Sequence, residues 1–118
     1  MTIVAEEGYA KGDKDFNAQL TNIKAADPEF IFCPNYYEDD GMIVKQARAL
    51  GLTVPFLGGD GWDGVVKYAS AEELEGTFDC SPYAPGCTDA LKACEDAYTA
   101  AYGTDALHMF AANAYGAA

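Results

Sequence analysis

FIFCPNYYEDDGMIVKQARALGLTVPFLGGDGW, residues Phe30 to Trp62, decides how this chain folds. It opens on an apolar run, Phe30-Ile31-Phe32-Cys33, which is too short for a helix and is bounded by Pro34 and Asn35. An amphipathic segment follows, with Ile43, Ala47 and Leu50 at i, i+4 and i+7 and Lys45, Gln46 and Arg48 between them. Gly51 stands where a helix-terminating glycine belongs. A second apolar run, Val54-Pro55-Phe56-Leu57, ends in Gly58-Gly59-Asp60-Gly61-Trp62. Strand, helix, strand in that order predicts two parallel strands joined by a right-handed crossover. Each strand ends in a polar-aromatic cluster, Asn35-Tyr36-Tyr37 and Asp60-Gly61-Trp62. Ligands of open α/β sheets bind outside the carboxyl ends of the strands, where both clusters fall.

Working outward, Thr2–Ala5 reads as a further short strand. Asp13 and Asp15 are candidate N-caps for a helix whose face carries Phe16, Leu20 and Ile23. Asp27-Pro28 closes that helix, because a residue before proline avoids the α region. The expected sheet therefore contains Thr2–Ala5, Phe30–Cys33 and Val54–Leu57. Beyond Trp62, Val65–Ala69 suggests a short helix, and Gly76–Cys80 a further strand. Thr88 is a good N-cap for a helix carrying Leu91, Cys94, Tyr98 and Tyr102 and stopped by Gly103. Leu107–Tyr115 reads as helical again. The alternation predicts an α/β fold, a parallel sheet with flanking helices.

At 118 residues the chain is one domain or a piece of one. Seven basic against nineteen acidic residues give a net charge of −12, which argues against nucleic acid or an anionic membrane as partner. No apolar run approaches the roughly 20 residues of a membrane-spanning helix. No signal peptide is read in Met1-Thr2-Ile3-Val4-Ala5. His108, the only histidine, sits among apolar neighbours and reads as structural. No Ser/His/Asp, Cys/His or paired-carboxylate constellation can be assembled, so no catalytic residue, metal site or cofactor is assigned. Glu38, Asp39 and Asp40 fit a helix start, where the macrodipole favours acids. Cys33 reads as a core residue of its strand. Cys80, Cys87 and Cys94 lie seven apart, and a Cys80–Cys87 disulfide is open in an oxidising compartment.

Several segments, in order, resemble one family. They are Val4-Ala5-Glu6-Glu7-Gly8-Tyr9, Gly12-Asp13-Lys14-Asp15-Phe16, Ala18-Gln19-Leu20, Ile23-Lys24-Ala25-Ala26, Tyr36-Tyr37, Lys45-Gln46-Ala47-Arg48, Leu50-Gly51 and Leu57-Gly58-Gly59-Asp60-Gly61-Trp62. The chain is similar along its length to the branched-chain amino-acid (Leu/Ile/Val) binding proteins, type I periplasmic binding proteins of ABC transporters. That resemblance implies two α/β lobes of flavodoxin-like fold with the ligand clamped between them. Residues 1–82 would form part of the second lobe, and residues 83–118 the crossover and helical segments that pack on the first. In the family another strand lies between those corresponding to Thr2–Ala5 and Phe30–Cys33. An unpaired edge of that kind implies self-association or strand exchange of these residues.

The resemblance also implies site residues. Tyr36 aligns with a tyrosine that contacts the amino acid, and Asp60, 24 positions later, with the acid that binds its α-ammonium. A carboxylate–ammonium pair makes a short charge-assisted hydrogen bond, and a tyrosine face can add cation–π attraction. Tyr37 is either a contact or packing, and Trp62 either lines the cleft or caps the sheet end. The implied partners are a branched-chain or similar amino acid and the transporter permease. The implied location is periplasmic or extracellular, with a lipid anchor an open alternative for the full-length parent. Two other readings stand beside this one: a small flavodoxin-like domain using Asp60 as phosphoacceptor, and a structural fragment without activity.

Overall fold

The computed structural model describes residues 1–103, 107 and 109–117. His108 lies outside the described residues. The chain forms two compact units, Met1–Cys80 and Ser81–Ala118.

The first unit holds α1 (Asn17–Ala25), β1 (Ile31–Cys33), α2 (Tyr37–Ala49), β2 (Phe56–Gly58) and β3 (Thr77–Asp79), with single 3-10 turns at Asp60–Trp62 and Val65–Lys67. The three strands form one sheet in the order β1-β2-β3, and both pairings are parallel. This is the α/β architecture expected from the Phe30–Trp62 stretch, and β3 falls within the expected Gly76–Cys80 segment. Gly51, at φ +77°, ends α2 in the left-handed conformation that other residues adopt at a cost.

The Thr2–Ala5 strand is not formed. Residues 1–10 carry no regular structure, and Ile3 and Val4 are exposed. A strand is held by hydrogen bonds to a neighbour, and no described strand pairs with this segment. The sheet therefore runs from β1 to β3, without the first of the three expected strands.

Helix α1 is started differently from the expectation. Neither Asp13 nor Asp15 occupies the cap position, which belongs to Phe16. Asp15 Oδ1 accepts from the Asn17 N–H at 3.0 Å from one residue outside, while Asp13 Oδ2 accepts from the Ala10 N–H in the preceding loop. The Phe16 N–H donates to Gln46 Oε1 at 2.8 Å, and Gln46 Nε2 donates to the Lys14 carbonyl at 2.8 Å. A glutamine on α2 thus clasps the start of α1, and the two helices are tied at their polar ends as well as through their apolar faces.

Phe16, Leu20, Ile43, Val44 and Ala47 from the helices form one buried cluster with Ile31, Cys33 and Phe56 from the sheet. The guanidinium of Arg48 lies 5.2 Å from the centre of the Phe56 ring. It donates to the carbonyls of Leu52, Val54, Glu73 and Glu75, at 2.7–3.1 Å. One side chain so joins the loop entering β2 to the segment leading to β3.

The second unit holds α3 (Asp89–Tyr102) and α4 (Met109–Ala117). Thr88 caps α3 as expected, its Oγ1 accepting from the Leu91 N–H at 3.1 Å. A groove of about 370 Å³ between these helices is lined by Cys94, Tyr98, Tyr102, Leu107, Ala111 and Tyr115, among others. Cys80 and Cys87 are exposed free thiols, so the disulfide left open above is not formed.

Candidate functional site

Two loops leave neighbouring strands at their carboxyl ends. The β1 loop, Pro34–Tyr36, carries Asn35 and Tyr36 into the start of α2. The β2 loop runs from Gly59 into the Asp60–Trp62 turn. Parallel pairing of Cys33 with Gly58 puts the two loops side by side. They touch: the place where a Cβ on Gly61 would stand is filled by the Asn35 carbonyl oxygen. Gly61 is thus required by close approach of backbone.

Tyr36 occupies the N-cap position of α2 in extended conformation, and its side chain is 72% exposed. It borders a cleft of about 220 Å³ with Lys11, Gly12, Lys14, Glu38 and Asp39. Lys14 is paired to Glu38 at 3.0 Å, and Asp39 Oδ2 accepts from the Tyr9 hydroxyl at 3.0 Å. Burial and the facing Asp39 push the Tyr9 phenol well above its ordinary range, so it stays a hydrogen-bond donor. Asp60 opens the second loop and is exposed. Tyr36 and Asp60, named from the sequence, therefore stand as free polar side chains on two adjoining loops.

The other two named residues are placed differently. Trp62 is 2% exposed, and its Nε1 donates to the Cys33 carbonyl at 2.9 Å. The indole lies over Gly58, where no side chain would fit beneath it. The indole thus covers the end of the sheet. Tyr37 is half-buried and packs on Tyr68, with ring centres 5.7 Å apart, and beside Gly64. Trp62 and Tyr37 build the floor and flank under the exposed pair.

One residue at the site escaped the reading of its sequence. Glu38, Asp39 and Asp40 stand in the first turn of α2, the helix start expected of them, and within that trio Asp40 has no exposed surface. Its Oδ1 accepts from Asn35 Nδ2 at 3.3 Å, and its Oδ2 has no hydrogen-bond partner. Burial pushes its carboxyl up to about 7, against the opposing effect of the Asn35 bond and with a smaller contribution from Asp39. A signal was available: Asp40 lies at i to Ile43, Val44 and Ala47 at i+3, i+4 and i+7, on the buried stripe of α2. Beside it, burial pushes the Cys33 thiol up to about 12, which keeps it protonated.

Among the described residues there is no group of three or more His, Cys, Asp or Glu side chains that could hold a metal ion. No described helix is long and apolar enough to cross a membrane.

Known proteins of this architecture carry similar sequences. Residues 1–118 match the family described as periplasmic binding protein. The Leu/Ile/Val-binding protein of Escherichia coli is 30% identical over 99 residues, 77% of this chain and 27% of that protein. The leucine-, isoleucine-, valine-, threonine-, and alanine-binding protein of Pseudomonas aeruginosa is 38% identical over 55 residues, 47% of this chain and 15% of that protein. Among solved structures, the branched-chain amino acid transporter substrate binding protein LivJ of Streptococcus pneumoniae, in complex with isoleucine, superposes with a TM-score of 0.84. It is 38% identical, and the match covers 92% of this chain and 32% of that one. The chain thus spans about a third or less of the length of these relatives. It belongs to the periplasmic binding protein family.

Proposed function

We propose that this chain supplies one wall of an amino-acid-binding cleft in the solute-binding component of an ABC transport system. The observation that carries the reading is the adjacency of Tyr36 and Asp60. They are exposed on two loops that leave paired parallel strands at the same end and are held in contact through Gly61. The ligand is a branched-chain or similar amino acid. Asp60 takes the α-ammonium in a charge-assisted hydrogen bond, and the Tyr36 ring flanks it. Trp62 and Tyr37 hold the loops rather than the ligand, since Trp62 is buried with its N–H already used. The role is binding without catalysis. Likeness to transporter proteins supports a permease as the protein partner and a periplasmic or extracellular location. Residues 1–82 would belong to the second lobe and residues 83–118 to the crossover and the segments that meet the first. A phosphoacceptor would need a metal-holding acidic cluster, and among the described residues no group of three or more His, Cys, Asp or Glu side chains forms one.

Closure of two lobes on one ligand would divide its contacts between them. The chain by itself then binds free leucine or isoleucine at roughly millimolar strength or weaker. In a two-lobe protein containing these residues, Asp60→Ala costs about 2–4 kcal/mol of binding, because a desolvated ammonium is left without its partner. Asp60→Asn costs less, as the amide oxygen still accepts. Titration calorimetry with leucine and isoleucine measures both, and an unchanged dissociation constant for Asp60→Ala removes Asp60 from the site.

A further inference from the structure

Asp40 sits beneath the Tyr36 loop and is bound to it twice. Its backbone N–H donates to the Tyr36 carbonyl at 3.0 Å, and its Oδ1 accepts from the Asn35 side chain at 3.3 Å. Asn35 in turn presses its carbonyl against Gly61 of the neighbouring loop. The residue that Asp40 holds is therefore the one through which both loops meet.

The carboxyl is placed where an ionised group is poorly served. It is fully buried, and Oδ2 has no hydrogen-bond partner. The charged or titratable groups that act on it are Asp39 from its own helix, Cys33 from the end of β1 and Tyr9 from the N-terminal segment. None of them is a cation. A carboxylate buried without a counter-ion and with one oxygen unused is costly, whereas the neutral acid keeps the Asn35 bond and carries no charge. The Asn35 bond favours ionisation, and burial outweighs it.

We propose that Asp40 is a positioning residue of the amino-acid site: as the neutral acid it fixes Asn35, and through Asn35 the Tyr36 loop, so that ligand binding is linked to a proton held at this carboxyl. The inference rests on the reading of Tyr36 and Asp60 as the ligand-binding pair. Loss of the proton puts an uncompensated charge under the loop. The ways to relieve it are to admit water or to draw the Asn35 amide inward, and either displaces the contact with Gly61.

The test is a pH titration of the isotopically labelled 118-residue chain by NMR between pH 5 and pH 8, alone and with L-isoleucine. The Asp40 carboxyl carbon should titrate near neutrality. The Asn35 side-chain amide and the Tyr36 backbone amide should move with the same midpoint, and the affinity for isoleucine should fall about fivefold across the range. Asp40→Asn keeps the size and a hydrogen-bonding oxygen but has no proton to lose. It should abolish the shared transition and hold the affinity at its low-pH value, and it also corrects for ionisation of the ligand. The wild-type titration stands alone if that variant does not fold. An Asp40 midpoint near 4, or Asn35 and Tyr36 signals indifferent to Asp40, overturns the proposal. A shared transition with an unchanged affinity overturns the linkage to ligand. If the transition is present but isoleucine moves no resonance at any pH even near its solubility limit, far above the expected millimolar range, the binding reading falls, and the linkage with it.

Discussion

The two faces of the sheet have similar side chains and opposite surroundings. On one, Ile31, Cys33 and Phe56 are at most 7% exposed beneath α1 and α2. On the other, the strand register lines up Phe32, Leu57 and Phe78 in a single row, and both phenylalanines are 62% exposed. Strands with one wet face usually alternate apolar and polar residues, while strands of a doubly covered parallel sheet read as unbroken apolar runs. Phe30-Ile31-Phe32-Cys33 is of the second kind. The strands are thus composed for two covered faces, and the described residues cover one.

The sharpest way to break this comparison is to make the same cut on each face. Phe56→Ala should destabilise the first unit by about 3–5 kcal/mol through lost burial and a residual cavity. Urea denaturation followed by the fluorescence of Trp62 measures it, and a loss near 1 kcal/mol would mean that the covered face is not the core.

Asp40 tests the margin of the covered face. Its carboxyl is raised from about 4 unfolded to about 7 folded, so the folded state binds the extra proton. That contribution is complete below about pH 4 and is lost as pH rises through 7, on the order of 2–4 kcal/mol in all. Asp40→Asn should flatten this part of the stability profile between pH 5 and 8. A wild-type profile that rises over that range would contradict the buried neutral acid.

Arg48 is the next step down. Arg48→Met keeps much of the apolar stem over Phe56 but leaves four carbonyls without their donor, at a cost of about 2 kcal/mol. Thermal unfolding should show it. A neutral result would mean that water replaces the guanidinium freely.

The smallest effect belongs to the open face. Phe32→Ser with Phe78→Ser should change monomer stability by less than about 1 kcal/mol, as for exposed sites generally. The same pair should lower any self-association seen in sedimentation equilibrium, because exposed apolar rows on a short sheet attract partners. Unfolding of the double variant would show that the open face is covered in solution.

Much of this was legible because it rests on local spacing. β1, α2 and β2, the Gly51 stop and the Thr88 cap each follow from a few consecutive residues. The Thr2–Ala5 strand failed because a strand is a property of a pair, and its partner is not among the described strands. The helix start expected for Glu38, Asp39 and Asp40 is observed, while the burial of Asp40 follows from its helical position and not from its charge. Trp62 could be placed only once Gly58 and the Cys33 carbonyl were seen beneath it. Tyr36 and Asp60 were proposed from resemblance and from the rule for strand ends. Their exposure and the contact between their loops came from the structure.

The meeting of Asn35 and Gly61 also bears on how such a site can drift. A side chain at position 61 would collide with backbone rather than with a movable group, so mutational steps that reshape the second loop through this position are closed. Tyr36 and Asp60 face no such barrier, since both side chains are exposed. Exchange of those two side chains would then proceed on an unchanged backbone. A library randomised at positions 36 and 60 should yield far more folded members than one randomised at 35 and 61.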